Sequence, residues 1–304
     1  MDLDQKTAQK ILDKNSHGKV ISISRETLGI TGSVYNINNK YIIKIAGSSG
    51  QDKFRVERNA TMCEILQKHG INCPEVIALD ISKEVIEHKY LIMTKLEGDN
   101  LVDVWEKLPV DIQQLIAREY GQIMARIHQI KMKKFGDVLN NEQQFDSWHD
   151  FITGRFKMHL NYLATNAIVS SKTLAMVHDL LKDNDELLHV KDGPVLVHAD
   201  FQSKNIKYHQ GKINGIFDFD ECLGGHNEFD FTKIFLPYTI DYAFKEMIVE
   251  SYKEIGSLSS SFPKRVKLYS LGFLLNVLWF SHSNNLITIA LKTKYIGAIN
   301  ELLQ

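Results

Sequence analysis

The chain has only three cysteines, Cys63, Cys73 and Cys222, and nowhere a C-x-x-C spacing. An odd number without that spacing argues against a disulfide framework and against a zinc site, and fits a reducing compartment. Net charge is also nearly missing, since 36 Lys and Arg stand against 37 Asp and Glu for a formal charge of −1. No global field draws such a protein to nucleic acid or to an anionic membrane, so a charged partner has to be recognised locally. The N-terminal stretch MDLDQKTAQKILDKN has no apolar core of the kind a secretion signal needs. The longest greasy run, residues 271–280, contains Asn276 and is too short to span a bilayer. Internal repeats and low-complexity segments are absent as well. These absences predict a cytoplasmic protein with no nucleic-acid or membrane partner, a monomer by default.

What is present is enough apolar material, 44% of 304 residues, for one large domain or two lobes. The organising stretch is residues 195–221, VLVHADFQSKNIKYHQGKINGIFDFDE. An apolar strand, Val195 to Val197, delivers His198, Asp200 and Asn205 onto a loop, and a second strand over 213–217 delivers Asp218. Two carboxylates and an amide at adjacent strand ends suit phosphoryl transfer from a nucleotide. Asp200 can accept the proton of an attacking hydroxyl, while Asn205 and Asp218 offer hard oxygens to Mg²⁺.

Upstream, Leu3, Ala8, Ile11 and Leu12 mark a short amphipathic helix over residues 3–14. The segments VISISRE, SVYNIN and YIIKIAG follow, joined by glycines and the Asn38-Asn39 turn, and predict three antiparallel strands. Lys44 lies among Ile42, Ile43 and Ile45, so it either reaches a solvated face or meets an anion. A helix over 53–68 carries Glu57 and Glu64 two turns apart on one face. Cys73-Pro74 ends it, and 76–80 and 88–94 read as strands. Polarity rises over 95–98, where Gly98 frees the backbone. The rest is helical: residues 111–130, with a stripe of Ile112, Leu115, Ile116, Tyr120, Ile123, Ile127 and Ile130, then 145–164, 172–189, 238–251, 262–284 and 285–303.

At HADFQSKN (198–205) and IFDFDE (216–221), with its two aspartates eighteen positions apart, the chain resembles the aminoglycoside phosphotransferase family of antibiotic kinases. That resemblance implies an α+β, bilobal protein-kinase-like fold: a small antiparallel β-sheet lobe with one main helix over residues 1–94, a hinge at 95–98, and a larger, mostly helical lobe over 99–304. It implies transfer of the γ-phosphoryl group of ATP (or GTP), with Mg²⁺, to a hydroxyl of an aminoglycoside-like acceptor. Asp200 would be the catalytic base, and Asn205 and Asp218 the metal ligands. Lys44 would hold the phosphates, steadied by Glu57 with Glu64 as the fallback. The loop over 27–33, ending at Ser33, would cover the phosphates although it lacks the G-x-G-x-x-G pattern. Met93 and the backbone of Thr94 and Leu96 would seat the base of the nucleotide. Asp230 matches a structural aspartate that braces the metal loop, and Lys204 is the cation near Asp200.

A polycationic acceptor would want carboxylates, for which Asp146, Asp150, Glu221, Glu228 and Glu250 are available. Choline would want an aromatic box, and a macrolide, homoserine or methylthioribose are further acceptors this fold accommodates. A non-catalytic nucleotide-binding scaffold is the alternative from another class; such proteins usually lose the base, the metal aspartate or the lysine, and all are present. Asp230 follows Asp218 by only twelve positions, too few for the long activation segment of a protein kinase.

Overall fold

Helix formation begins at Asp4, whose carboxylate accepts the Thr7 N–H at 2.7 Å and caps α1 (Gln5–Lys14). Ala8, Ile11 and Leu12 form its buried face, at the spacing the sequence shows. The computed structural model describes residues 2–26, 32–47 and 53–304, and these form two compact units. The first consists of the chain up to Ile123 together with Ser203–Cys222; the second consists of Met124–Gln202 and Leu223–Gln304.

In the first unit, β1 (Ile23–Glu26), β2 (Gly32–Ile37), β3 (Tyr41–Ala46), β4 (Val76–Asp80) and β5 (Tyr90–Thr94) form an antiparallel sheet in the order β1-β2-β3-β5-β4. Three residues, Asn38 to Lys40, connect β2 to β3, and Asn38 and Asn39, left-handed with φ of 57° and 53°, turn the chain so that the Lys40 N–H donates to the Ile37 carbonyl at 3.0 Å. Alternating residues of these strands, Tyr35 and Ile37, Ile43 and Ile45, pack with Ile11 and Leu12 into one core. Helix α2 (Arg55–Lys68) joins β3 to β4. A second sheet of three strands pairs β6 (Asp99–Asn100) and β11 (Lys212–Ile216) on either side of β10 (Ile206–His209). Gly98, at φ 96°, allows this pairing, because a Cβ there would stand 2.1 Å from the Tyr208 carbonyl oxygen. After the short α3 (Leu101–Val104), α4 (Val110–Ile127) carries the chain into the second unit. Its stripe is buried at Ile116, Tyr120, Ile123 and Ile127, but Leu115, assigned to that stripe by spacing, is 60% exposed.

The second unit holds a four-stranded sheet in the order β8-β7-β12-β9, made of β7 (Phe135–Asp137), β8 (Gln144–Phe145), β9 (Val195–Val197) and β12 (Leu223–Gly225). Around it lie α5 (Trp148–Thr165), α6 (Ser171–Asp183), α7 (Lys245–Lys253), α8 (Phe262–Ser283) and α9 (Ile289–Leu302). Phe145, predicted to open α5, belongs to β8 instead. The helix starts later because Ser147 caps it, its hydroxyl accepting the Asp150 N–H at 3.0 Å. The helix predicted over 172–189 likewise stops at Asp183, and a 3₁₀ turn over Asp185–Leu188 follows. All three cysteines are free and buried. Among the described residues no helix is long and apolar enough to cross a membrane.

Candidate active site

Strand β9 ends at Val197, and the next three residues make a constrained turn. Ala199 has φ 59°, a conformation that L-residues with a Cβ avoid. The turn is held from outside: the Asp230 carboxylate accepts the Ala199 N–H at 2.7 Å and the His198 N–H at 3.0 Å. Asp230 is itself fixed by His128, whose Nε2 stands 2.9 Å away while its Nδ1 lies 2.9 Å from the Tyr252 hydroxyl. The Asp200 N–H then donates to His198 Nδ1 at 3.3 Å. Backbone strain at Ala199 is thus offset by three hydrogen bonds, two of them buried, and its result is a fixed position for Asp200.

Asp200 is 7% exposed, and its side chain bonds to the Gln202 amide and forms an ion pair with Lys233. Lys233 was not among the residues picked from sequence. It follows Asp230 by three positions, one turn on, so the same short segment grips both the backbone and the side chain of the 198–200 loop. Lys204, predicted as the nearby cation, is exposed and belongs to the first unit, whereas Asp200 belongs to the second. Asp230, expected to brace the segment carrying Asp218, braces the Asp200 loop instead.

The other predicted residues lie in the first unit. Asn205 closes a 3₁₀ turn, 4% exposed, and its carbonyl accepts the Phe217 N–H at 3.0 Å. Asp218, the next residue, is again left-handed, with φ 68°. Its Oδ1 lies 2.9 Å from the ammonium of Lys44, which projects from β3 and is 6% exposed. Lys44 also pairs with Asp220, a carboxylate that sequence reasoning missed although it repeats Asp218 at a two-residue interval. Asp220 is 5% exposed and accepts further bonds from Arg55 and Asn59 of α2, while Arg58 bonds to its backbone carbonyl at 2.5 Å. Burial works to lower the Lys44 pKa, but the carboxylates of Asp218 and Asp220 more than offset it and hold the ammonium above the usual lysine range.

The pairing expected between Lys44 and Glu57 does not form. Glu57 makes an ion pair with Lys89 instead, and Glu64 is exposed. The helical repeat explains this: Arg55 and Asn59, one turn apart, share the face that meets Asp220, and Glu57 projects from another side of α2. Ser33 lies on β2 opposite Ile45, and residues 27–31 of the predicted phosphate loop are outside the described residues. Met93 is buried on β5 opposite Ile42, and Thr94 is tied to Glu75 by two hydrogen bonds, of 2.8 and 2.9 Å. Leu96 is half-buried and its side chain lies against the position of Gly215.

The donor set fits a hard divalent cation. Asp218 and Asn205 offer a carboxylate and an amide carbonyl oxygen and are brought together by the Phe217 hydrogen bond, while both oxygens of the neighbouring Asp220 already accept from Lys44, Asn59 and Arg55. The acids counted on for a polycation in the second unit are engaged elsewhere. Asp146 pairs with Lys134, Asp150 bonds to its helix-capping Ser147, Glu250 pairs with Lys253 at 3.0 Å, and buried Glu228 pairs with Arg265 at 2.6 Å. Trp148 is 1% exposed and donates to the Tyr269 hydroxyl, which makes it a core residue.

The sequence model of the phosphotransferase enzyme family matches residues 27–258, most of the chain. The chain belongs to that family. A probable ketoamine kinase of Pasteurella multocida (strain Pm70) is 25% identical over 267 residues, covering 84% of each chain. The streptomycin–ATP–APH(2")-IIa ternary complex superposes with a TM-score of 0.72 at 15% identity over 99% of this chain and 97% of the other. A thermostable mutant of aminoglycoside phosphotransferase APH(4)-Ia, in complex with AMP-PNP and hygromycin B, gives 0.72 at 19% identity over 98% and 97%. The fold of this phosphotransferase is therefore the α+β, kinase-like fold of those enzymes.

Proposed function

We propose that this phosphotransferase moves the γ-phosphoryl group of ATP to a hydroxyl of a small polyhydroxylated amine, an aminoglycoside or a ketoamine. The observation that carries the reading is the buried carboxylate of Asp200, held on a strained turn by Asp230. A fixed carboxylate orients an acceptor hydroxyl and takes its proton as the oxygen attacks, without reorganising at the moment of reaction. Lys44 would neutralise the phosphates, and Asp218 and Asn205, with Asp220 beside them, would hold Mg²⁺, which supplies charge neutralisation of the phosphates when bound. Met93, Thr94 and Leu96 remain the residues proposed to seat the nucleobase, and Ser33 to approach the phosphates.

The test is ADP or GDP release with Mg²⁺ and either triphosphate across aminoglycosides, ketoamines, choline, homoserine, methylthioribose and macrolides. Asp200→Asn is expected to lower kcat by roughly 10²–10⁴-fold while nucleotide affinity stays close to that of the wild type. Near-wild-type turnover in that variant removes Asp200 from the role of base.

A further inference from the structure

Lys233 stands against the proposed base without a part of its own in the transfer chemistry. Its ammonium contacts Asp200 Oδ1, the same oxygen that the Gln202 amide reaches. The side chain is 14% exposed against 10% for Asp200, so the pair is largely withdrawn from water. The ammonium also stands 4.8 Å from the centre of the Phe273 ring of α8, which gives it a second place of rest. A carboxylate oxygen that already receives an ammonium and an amide is a poor acceptor for a further proton. Asp200 as it stands is therefore held in check.

The surroundings indicate what relieves this. Of the acids singled out for a cationic acceptor, Asp146, Glu250 and Glu228 are paired with Lys134, Lys253 and Arg265, Asp150 bonds to Ser147, and Glu221 is exposed in the first unit. Lys233 instead places positive charge one contact away from the base. A polycation brought to Asp200 meets like charge there, whereas an anionic group meets a partner, so of the two acceptor classes proposed above a carboxylate-bearing ketoamine fits this surrounding and a polycationic aminoglycoside does not.

We propose that Lys233 is a positioning and specificity residue: it masks Asp200 while no acceptor is bound, and an acceptor with a carboxylate beside the reacting hydroxyl draws the ammonium away and frees the base. The proposal rests on Asp200 being that base. Its first consequence concerns water. In acceptor-free hydrolysis the water oxygen bonds to the γ-phosphorus, the bond to the β,γ-bridging oxygen breaks with its electron pair leaving on ADP, and the water proton passes to Asp200. The lock suppresses this reaction. Its second consequence is a preference for anionic over neutral acceptors.

Both are measured on the full chain. Acceptor-free ADP release with Mg²⁺ and ATP is expected to rise about tenfold in Lys233→Met, to stay at the wild-type level in Lys233→Arg, and to fall back in Lys233→Met with Asp200→Asn. Lys233→Gln repeats the measurement if the Met variant does not fold. With deoxyfructosyl glycine and its methyl ester as matched probes, wild type is expected to favour the free carboxylate by ~10–100-fold in KM, and Lys233→Met to lose that preference while Lys233→Arg keeps it. An uncharged variant whose acceptor-free rate is no higher than wild type overturns the lock, whether or not either probe is phosphorylated. Wild-type preference for the ester overturns the anionic acceptor. If instead Asp200→Asn alone keeps full hydrolysis and transfer, the assignment of the base fails first, a result separable from either of these.

Discussion

Asp220 shows what a buried carboxylate does among several cations. It meets Lys44, Arg55 and Asn59 at once, and Lys44 is in turn shared with Asp218. Removing one member of a buried charged network leaves the others unpaired, which costs more than the network contributes over an apolar equivalent. Asp220→Asn is therefore expected to lower stability by about 3–5 kcal/mol, read from denaturant unfolding, and to raise the KM for the nucleotide by misplacing Lys44. Glu57→Gln makes the contrast. Its carboxylate pairs with Lys89 and not with Lys44, so the nucleotide KM should change less than about threefold. A large KM effect from Glu57→Gln with none from Asp220→Asn would reverse the assignment made from the contacts.

The 3₁₀ segment Asn227–Phe231, continued by Thr232 and Lys233, acts as a clamp on the turn that follows β9. Asp230 takes two backbone N–H groups, His128 and Tyr252 hold Asp230, and Lys233 takes the side chain of Asp200. With Asp230→Asn, one of the two acceptor oxygens becomes an amide donor facing an N–H group. The left-handed Ala199 then loses part of what holds it, and Asp200 moves. A displacement of about 1 Å at a reacting group costs on the order of 10²-fold in rate, so kcat is expected to fall by that amount with acceptor KM less affected. Steady-state kinetics of Asp230→Asn check it; unchanged kcat would make the clamp irrelevant to the chemistry.

The two units each have a core of their own, and the second one buries two histidines that the chemistry does not use. His226 is 4% exposed and His159 2%, and burial, aided by Arg265 and Arg155 respectively, pushes both down to about 3. An unfolded chain binds protons at these residues near pH 6.5, and the folded chain does not until about pH 3. Their contribution is thus fully present above about pH 6.5 and is lost as pH falls toward 3, at up to about 1.4 kcal/mol per pH unit for each histidine. Melting temperature is expected to drop steadily between pH 6.5 and 4, and His226→Gln to flatten part of that slope. An unaltered slope in that variant would assign the acid sensitivity to other groups.

How much of this was legible in the linear chain depends on the range of each interaction. Strand alternation, the Asn38-Asn39 turn, the amphipathic stripes and the H-x-D…N…D order of residues 198–218 are local patterns, and from them the fold class and the candidate residues of the site could be read. Helix starts slipped where a cap outranked periodicity, as at Ser147, and Leu115 kept the stripe's spacing but not its burial. The partners of those residues were not legible. Lys44 meets Asp218 across 174 positions and Asp220 across 176, and Arg55 meets Asp220 across 165, so no short pattern records which of several acids a lysine will find. Glu57 had the composition of a partner and lacked the face; Asp220 had the face, given by the hairpin that returns it to α2. Lys233 carried no signal apart from standing one turn beyond Asp230. Residue types were set by the order of the chain, and their pairings by the folding of distant segments onto one another, because an ion pair forms only where both side chains arrive on facing surfaces.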